Sequence, residues 1–280
     1  LFIEMKKGDE RRGSEERVSD KEKKLLNDLM SHEVFKKIDS LRKKGKLLAY
    51  NVKHVGNMRL KQFPEAIEYL KKMQALYKEM EMDTNTTFNY LSNTNNLLVL
   101  SVGAGQFEEA ERCLKILETN RYKDKRLEEY RKTLFSKNLI FFLFERSHHR
   151  VLGREIYEAE KYYLETGIEL SGNNNLFSCY YLGILFLGIR QFDKSLLWLQ
   201  KTIDHENTTF INVQAYCRIV AALVHYEQNN LSLAQSVMQN LSYYMKKSNF
   251  QVTYLKTCSM LVTKLLSATT KPEREKRLQN

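Results

Sequence analysis

Side chains able to do metal, acid–base or nucleophilic chemistry are sparse and poorly spaced in this sequence. The one dense histidine cluster is His148-His149, near Glu145. Adjacent residues on a helix point about 100° apart, whereas a metal-binding pair on a helix uses positions four residues apart. We interpret these histidines as an exposed pair at a helix end. The sequence predicts no catalytic residue, no metal site and no cofactor.

Two further features lack the context that their chemistry needs. The Gly-Ala-Gly stretch at 103–105 follows an apolar run, but no strand and no Lys-Ser/Thr pair accompany it, so a turn between helices explains it better than a phosphate loop. The cysteines are far apart in apolar stretches with no Cys-x-x-Cys pair, which favours buried, reduced thiols and a cytoplasmic location. They are Cys113, Cys179, Cys217 and Cys258. An enzyme is the least favoured class.

A five-residue phrase that recurs along the chain predicts the elements that position all other side chains. Each copy has an apolar residue second and a small residue fifth, and apolar residues at helical spacing follow it. Another helical run precedes each copy, so the repeating unit is a pair of helices joined by a turn. The copies are Gln62-Phe63-Pro64-Glu65-Ala66, Gln106-Phe107-Glu108-Glu109-Ala110, Gln191-Phe192-Asp193-Lys194-Ser195, Asn230-Leu231-Ser232-Leu233-Ala234 and a degenerate Glu155-Ile156-Tyr157-Glu158-Ala159.

The composition favours an all-α protein. Only two prolines and 11 glycines interrupt 280 residues, and no alternating β-branched run is bounded by hairpin turns. Few helix breakers predict long helices with short connections. The predicted helix pairs are 46–61 with 64–80, 84–103 with 107–119, 124–147 with 153–170, 174–189 with 192–204, and 207–228 with 231–247.

The two ends of the chain differ from this repeat region, which spans 46–247. Residues 1–18 are highly charged without apolar periodicity and are predicted to be disordered or a linker. A capping helix pair is predicted over 19–45, with Gly45 ending its second helix. A last helix over 248–268 is predicted to cover the exposed end of the stack, and 269–280 form a frayed tail.

The net charge of +11 is concentrated at the ends. Residues 1–48 hold 14 basic and 10 acidic side chains, and residues 248–280 hold 6 basic and 2 acidic ones, so each end has a net charge of +4. Basic ends attract RNA or anionic lipid, but charge blocks of this kind are more often solvated tails. The most apolar runs, 139–144 and 179–189, are shorter than the ~20 residues that cross a bilayer, so no membrane association is predicted.

The best copy of the repeat, residues 179–199, resembles a tetratricopeptide repeat. Leu182-Gly183 match the family's Leu-Gly, where a small residue lets the two helices approach, and Phe192 and Ser195 match the second-helix positions. Cys179 stands where the family has an aromatic residue, and the closing proline is missing from every copy. Residues 214–227 with 243–244 are also similar to a group of poorly characterised bacterial tetratricopeptide-like proteins. The resemblance implies an α–α superhelix of about six antiparallel helix pairs plus a C-terminal capping helix.

The resemblance also implies a groove lined by the first helix of each pair, the kind of surface that binds extended peptides or helices. Asparagine both donates and accepts hydrogen bonds, and tyrosine adds apolar area with a polar tip. Two alternatives stay open, since the asparagines also fit a biased composition and the tyrosines also fit the core between helices. The groove candidates are Asn51, Arg59, Asn89, Asn93, Asn95, Asn96, Asn138, Tyr180 and Tyr216.

A non-enzymatic protein- or peptide-binding scaffold is therefore the predicted function. One alternative is a peptide-sensing regulatory module of a larger protein. Another is RNA binding through the basic ends or the stretch 121–132, where basic residues alternate with Tyr122 and Tyr130. Acidic residues and intrahelical pairs such as Glu128–Lys132 interrupt that stretch, so the sequence disfavours nucleic acid. An uncovered edge helix would also allow a homodimer.

Overall fold

The computed structural model describes residues 19–147, 152–166, 175–205, 211–247 and 253–266. Within these ranges the chain contains thirteen α-helices, one 3-10 turn and no strand, which confirms the all-α prediction. The segment predicted to be disordered, 1–18, the pair His148-His149 and the tail 269–280 lie outside the described residues.

The chain divides into two compact units, residues 1–145 and 146–280. Helix α7 ends one residue past this boundary. The first unit contains α1 (Asp20–Ser31), α2 (Glu33–Lys36), a 3-10 turn (Ile38–Ser40), α3 (Lys43–Arg59), α4 (Phe63–Lys78), α5 (Thr84–Gly103), α6 (Phe107–Thr119) and α7 (Lys125–Arg146). The second contains α8 (Gly153–Glu165), α9 (Asn175–Gly188), α10 (Phe192–Ile203), α11 (Ile211–Glu227), α12 (Leu231–Lys247) and α13 (Thr253–Leu266).

Consecutive helices pack against one another within each unit. In the first unit α4 packs between α3 and α5, and α6 packs against α5. In the second, α9 to α12 pack in the same sequential way, and α13 packs against both α11 and α12 through the buried Val262 and Leu266. This is the packing of a helical-repeat solenoid, in which each pair buries its apolar faces on its neighbours. The predicted pair 124–147 with 153–170 lies on the two sides of the unit boundary and stays a prediction.

The turn before each well-matched phrase has the same backbone geometry. One residue before the phrase has a positive φ, and its N–H and that of the next residue bond back into the helix, which is the Schellman arrangement. In the first copy Lys61 N–H donates to the Met58 carbonyl at 3.1 Å, and Gln62 N–H donates to the Asn57 carbonyl at 2.8 Å. The residues with positive φ are Lys61 (60°), Gly105 (71°), Arg190 (59°) and Asn229 (63°).

The small residue that ends each phrase lies where two helices of a pair approach most closely. Ala66, Ala110, Ser195 and Ala234 are all fully buried. The Ser195 hydroxyl donates to the Gly183 carbonyl at 2.7 Å, so a short side chain of α10 reaches the backbone of α9 there. A larger side chain at either position would separate the helices, which explains the small-residue pattern seen in the sequence.

The prediction that Gly45 ends a helix is wrong. Gly45 lies in the first turn of α3, and the preceding helix is only the short α2, followed by the 3-10 turn. The Nδ1 atom of His32 accepts from the Val34 N–H at 3.4 Å at the start of α2, so His32 is the N-cap of this helix. Helix α2 ends early because the chain tightens into the 3-10 turn, where the Ser40 hydroxyl bonds the Lys37 carbonyl at 2.7 Å.

Candidate functional site

Helices α5 and α7 are in parallel contact along a polar face. Near their first turns, the ring centroids of Phe88 and Tyr130 lie 5.2 Å apart. The Ser92 hydroxyl and the Tyr130 hydroxyl share a hydrogen bond of 3.0 Å. Two turns further along both helices, Asn138 reaches Asn95. The contact partners advance together along both helices, from Phe88 with Tyr130 to Asn95 with Asn138, so α5 and α7 run in the same direction.

Three asparagines form a relay across this contact. The Asn138 Nδ2 donates to the Leu134 carbonyl at 2.7 Å and to the Asn95 Oδ1 at 2.8 Å. The Asn95 Nδ2 in turn donates to the Asn96 Oδ1 at 3.4 Å. Because a backbone carbonyl can only accept, the bond to Leu134 fixes the orientation of all three amides. The relay therefore leaves the NH₂ group of Asn96 as its outer donor, and Asn95 and Asn96 are both half-buried.

Lys137, one residue before Asn138 on α7, was not among the sequence candidates. It is half-buried, and burial lowers the pKa of its ammonium because the charged form loses solvation. Among the described residues, no carboxylate forms an ion pair with it. It is seven residues after Tyr130, which puts both on one side of α7. Its signal in the sequence is that it is the single charged residue in the apolar stretch 133–144.

The other predicted asparagines and Arg59 do not join this cluster. Asn93 is buried and its amide donates to the Leu70 carbonyl of α4 at 3.0 Å, so this geometry gives no support for ligand contact at Asn93. The sequence predicts Asn93 on the groove surface, whereas the structure turns its side chain toward the neighbouring helix α4. Asn51, Arg59 and Asn89 are exposed on the first helices α3 and α5.

In the second unit, Tyr180 of α9 and Tyr216 of α11 face each other. Their ring centroids are 6.2 Å apart, and Tyr216 also packs against the buried cluster around Ala222 and Met238. Both rings are half-buried, so they join neighbouring first helices while one edge stays accessible. These tyrosines contribute to the packing between helices, and their contact with a ligand stays a prediction.

A second polar cluster lies between α11 and α12, in the segment that carries the bacterial resemblance. The Arg218 guanidinium stacks 4.1 Å from the centroid of the Tyr244 ring, and the Tyr244 hydroxyl bonds the Gln214 side chain. Gln214 Nε2 also donates to the Thr202 carbonyl at 3.2 Å, which fixes the end of α10. Burial lowers the pKa of Arg218, but the group stays charged because its normal value is so high. This cluster joins three helices and serves packing.

The basic stretch before and within α7 is largely engaged in internal pairs. Arg131 is buried, and its guanidinium bonds both Glu128, at 2.6 Å, and the Leu117 carbonyl. The Glu128 carboxylate has a lowered pKa because Arg131 and the Tyr122 N–H both donate to it. The ion-pair partner of Glu128 is Arg131, three residues further on, in place of the predicted Lys132 four residues on. These contacts remove one charge from the surface that the nucleic-acid alternative requires.

The three buried thiols are poorly suited to nucleophilic chemistry. Burial raises the pKa of Cys113 to about 12 and that of Cys179 to about 11, so neither forms a thiolate near neutral pH. Cys113, Cys179 and Cys217 are buried and unbridged, as predicted, whereas Cys258 is unbridged but only half-buried. Among the described residues, no group of three His, Cys, Asp or Glu side chains is placed to hold a metal ion. No helix in the described ranges is long and apolar enough to span a bilayer.

The packing of successive helix pairs defines the fold as a tetratricopeptide-like helical repeat. No protein-family model matches the chain, and no curated protein sequence matches it either. Among solved structures, the chain is similar to the apo form of RapI, with a TM-score of 0.64 and 14% sequence identity. The similarity covers 93% of this chain and 69% of RapI. At this identity the likeness shows the shared fold alone.

Proposed function

We propose that this protein is a binding scaffold that holds an extended peptide segment of a partner along the first helices of its repeats. The observation that supports this most directly is the relay from Asn138 through Asn95 to Asn96. Each of its bonds uses a donor of one amide and an acceptor of the next, so the chain of amides ends in the NH₂ group of Asn96, which has no acceptor among the described residues. A peptide carbonyl is a suitable acceptor for that group.

Preorganisation makes this relay more useful than three separate surface asparagines. The Asn138 amide is anchored on the backbone of α7, and Asn95 is held by Asn138 from the neighbouring helix. Little side-chain entropy is then lost when a ligand binds at Asn96. Hydrogen bonds in series also polarise one another, which strengthens the outer donor. The half-exposed Ser92–Tyr130 pair extends the polar face by two turns.

Peptide display with random sequences tests this proposal. Peptides selected on the wild-type protein are measured by fluorescence anisotropy against Asn96→Ala and against the matched control Asn240→Ala, which removes an exposed amide from α12. Loss of one hydrogen bond should weaken binding by roughly fivefold to tenfold in Asn96→Ala and leave Asn240→Ala unchanged. Helical circular dichroism should be equal for all three proteins. Equal affinities for the two variants would contradict the proposal.

If the chain works within a peptide-sensing regulator, the same residues are expected to contact the signal peptide. The same pair of variants then tests the regulatory output of the full protein. Neither a cytoplasmic location nor a homodimer is needed for this proposal, and both stay predictions.

A further inference from the structure

Helix α13 occupies the position of a first helix in a further repeat. It packs against both α11 and α12, in the same way that α11 packs against both α9 and α10. The first helices α3, α5, α9 and α11 each also pack against the second helix that follows them. Among the described residues, α13 has no such second helix. It is therefore half of a repeat, with one side open where a complete pair has a packed helix.

The outer side of α13 is apolar, which is unusual for a helix at the end of a solenoid. Terminal helices of repeat proteins normally present a polar outer face to water. Val262 and Leu266 are buried against α11 and α12, whereas Met260 is 72% exposed and Leu261 is 60% exposed. Adjacent residues on a helix point about 100° apart. One apolar side of α13 is thus covered by the preceding pair, and a second one is not.

Lysine side chains flank this exposed apolar side. Lys256 is four residues before Met260 and Lys264 is four residues after it, so all three lie on one side of α13, and all are exposed. Helices α12 and α13 hold two lysines each and no acidic residue. A partner that matches this surface has apolar side chains for Met260 and Leu261, with carboxylates beside them for the lysines.

The same charges disfavour the occupants that are nearest at hand. The stretch 267–280 holds 4 basic and 2 acidic residues and a single large apolar one, Leu278, so it matches neither the charge nor the apolar side of α13. A second copy bound through the same side would bring its own lysines against these, and like charges repel. A lipid surface gains little, because only Met260 and Leu261 of this helix remain to enter it.

We infer that α13 binds an acidic amphipathic helix of a partner protein, which packs where the second helix of this repeat would lie. The apolar stripe of the partner helix covers Met260 and Leu261, and its Asp or Glu side chains pair with Lys256 and Lys264. This surface belongs to the second unit and does not include Asn96. The inference therefore goes beyond the proposed function and does not depend on it.

The probes are fluorescein-labelled peptides of about 18 residues, a length that can form a helix. Three designs share one leucine stripe at helical spacing and differ only in the flanking residues, which are Glu, Gln or Lys. Affinities for the full chain are measured by anisotropy. Leu261→Gln is compared with Leu197→Gln, which removes an exposed leucine from α10, and Lys264→Gln is compared with Lys132→Gln, at an exposed position of α7.

The wild type should bind the acidic design at least about fivefold more tightly than the neutral design, and the basic design most weakly. Leu261→Gln should weaken binding of the acidic design by roughly tenfold, whereas Leu197→Gln should bind like the wild type. Lys264→Gln should reduce the preference for the acidic design by roughly threefold, and Lys132→Gln should retain it. Helical ellipticity should increase on mixing, because the peptide folds when it binds. Circular dichroism melting verifies that the variants remain folded.

Several results would overturn the inference in favour of another occupant. Self-association in sedimentation velocity that is lost in Leu261→Gln would identify a second copy. Binding to phosphatidylserine vesicles that depends on Leu261, with no preference among the peptides, would identify a membrane surface. Peptide binding that appears only after removal of residues 269–280 would show that the tail of the chain already covers α13.

Other results would leave no specific site on α13. Equal losses in Leu261→Gln and Leu197→Gln would mean that the peptides adhere to any exposed leucine. Binding that is weakened by Asn96→Ala and unaffected by Leu261→Gln would place the peptides on the first unit, which overturns the inference and leaves the proposed function intact. Absence of binding to all three helical designs would also overturn it, while the extended peptides selected for the proposed function would still test that function separately.

Discussion

Replacing Gly183 by alanine tests the close approach of α9 and α10. A Cβ atom at Gly183 would lie 2.7 Å from both Cγ and Cδ2 of Leu199, about 1 Å inside normal carbon–carbon contact. Leu199 is fully buried, so its side chain has no solvent to move into. Overpacking of this kind costs about 1–3 kcal/mol. Alanine has a better helix propensity than glycine by about 1 kcal/mol, so the net destabilisation should be about 0–2 kcal/mol.

The assay is urea unfolding followed by far-ultraviolet circular dichroism, with Gly188→Ala as the control. No atom lies within 4 Å of the position that a Cβ would take at Gly188, so only the change in helix propensity applies there. Gly183→Ala should unfold at lower urea concentration than the wild type, whereas Gly188→Ala should be equal or more stable. Stabilisation of both variants to the same extent would refute the close helix contact.

Two further predictions concern buried polar groups, both followed by the same unfolding assay. Glu160→Ala should destabilise the protein by about 2–3 kcal/mol, because the buried carboxylate accepts a hydrogen bond from the indole Nε1 of Trp198 at 2.8 Å and also binds Lys194. The control Glu158→Ala, at an exposed position of the same helix, should have little effect. Burial lowers the pKa of His54, so the unfolded chain takes up a proton that the folded chain does not, and stability should fall as the pH drops below about 6.5. His54→Gln should reduce this acid dependence, and an unchanged pH profile in that variant would contradict the assignment.

The recurring phrase predicted the helix boundaries well, because it contains the residues that form the turn. Helices α4, α6, α10 and α12 begin at its second residue in every well-matched copy. The positions of glycine residues alone did not predict where the helices end. Of the four left-handed positions only Gly105 is a glycine, while Gly45 lies inside α3. Backbone hydrogen bonds, which leave no mark on residue type, hold the other three turns.

The candidate site was predicted only in part, because helical periodicity does not tell which neighbour a side chain meets. Asn95, Asn96 and Asn138 do meet, since parallel first helices bring them into register. Asn93 is two residues from Asn95, or about 200° around the helix, and so bonds to α4 instead. Lys137, one residue before Asn138, was missed because its half-burial and the absence of an ion-pair partner among the described residues do not follow from residue type.

The single tryptophan of the chain, Trp198, has a spectroscopic consequence. It is 1% exposed, with the Tyr163 ring at its edge (5.8 Å between centroids) and the Lys201 ammonium 3.8 Å from its ring centroid. Its emission should be shifted to the blue in the native protein and move to the red only when residues 146–280 open. The first unit contains no tryptophan, so a loss of ellipticity without a change in emission colour would report melting of residues 1–145 alone.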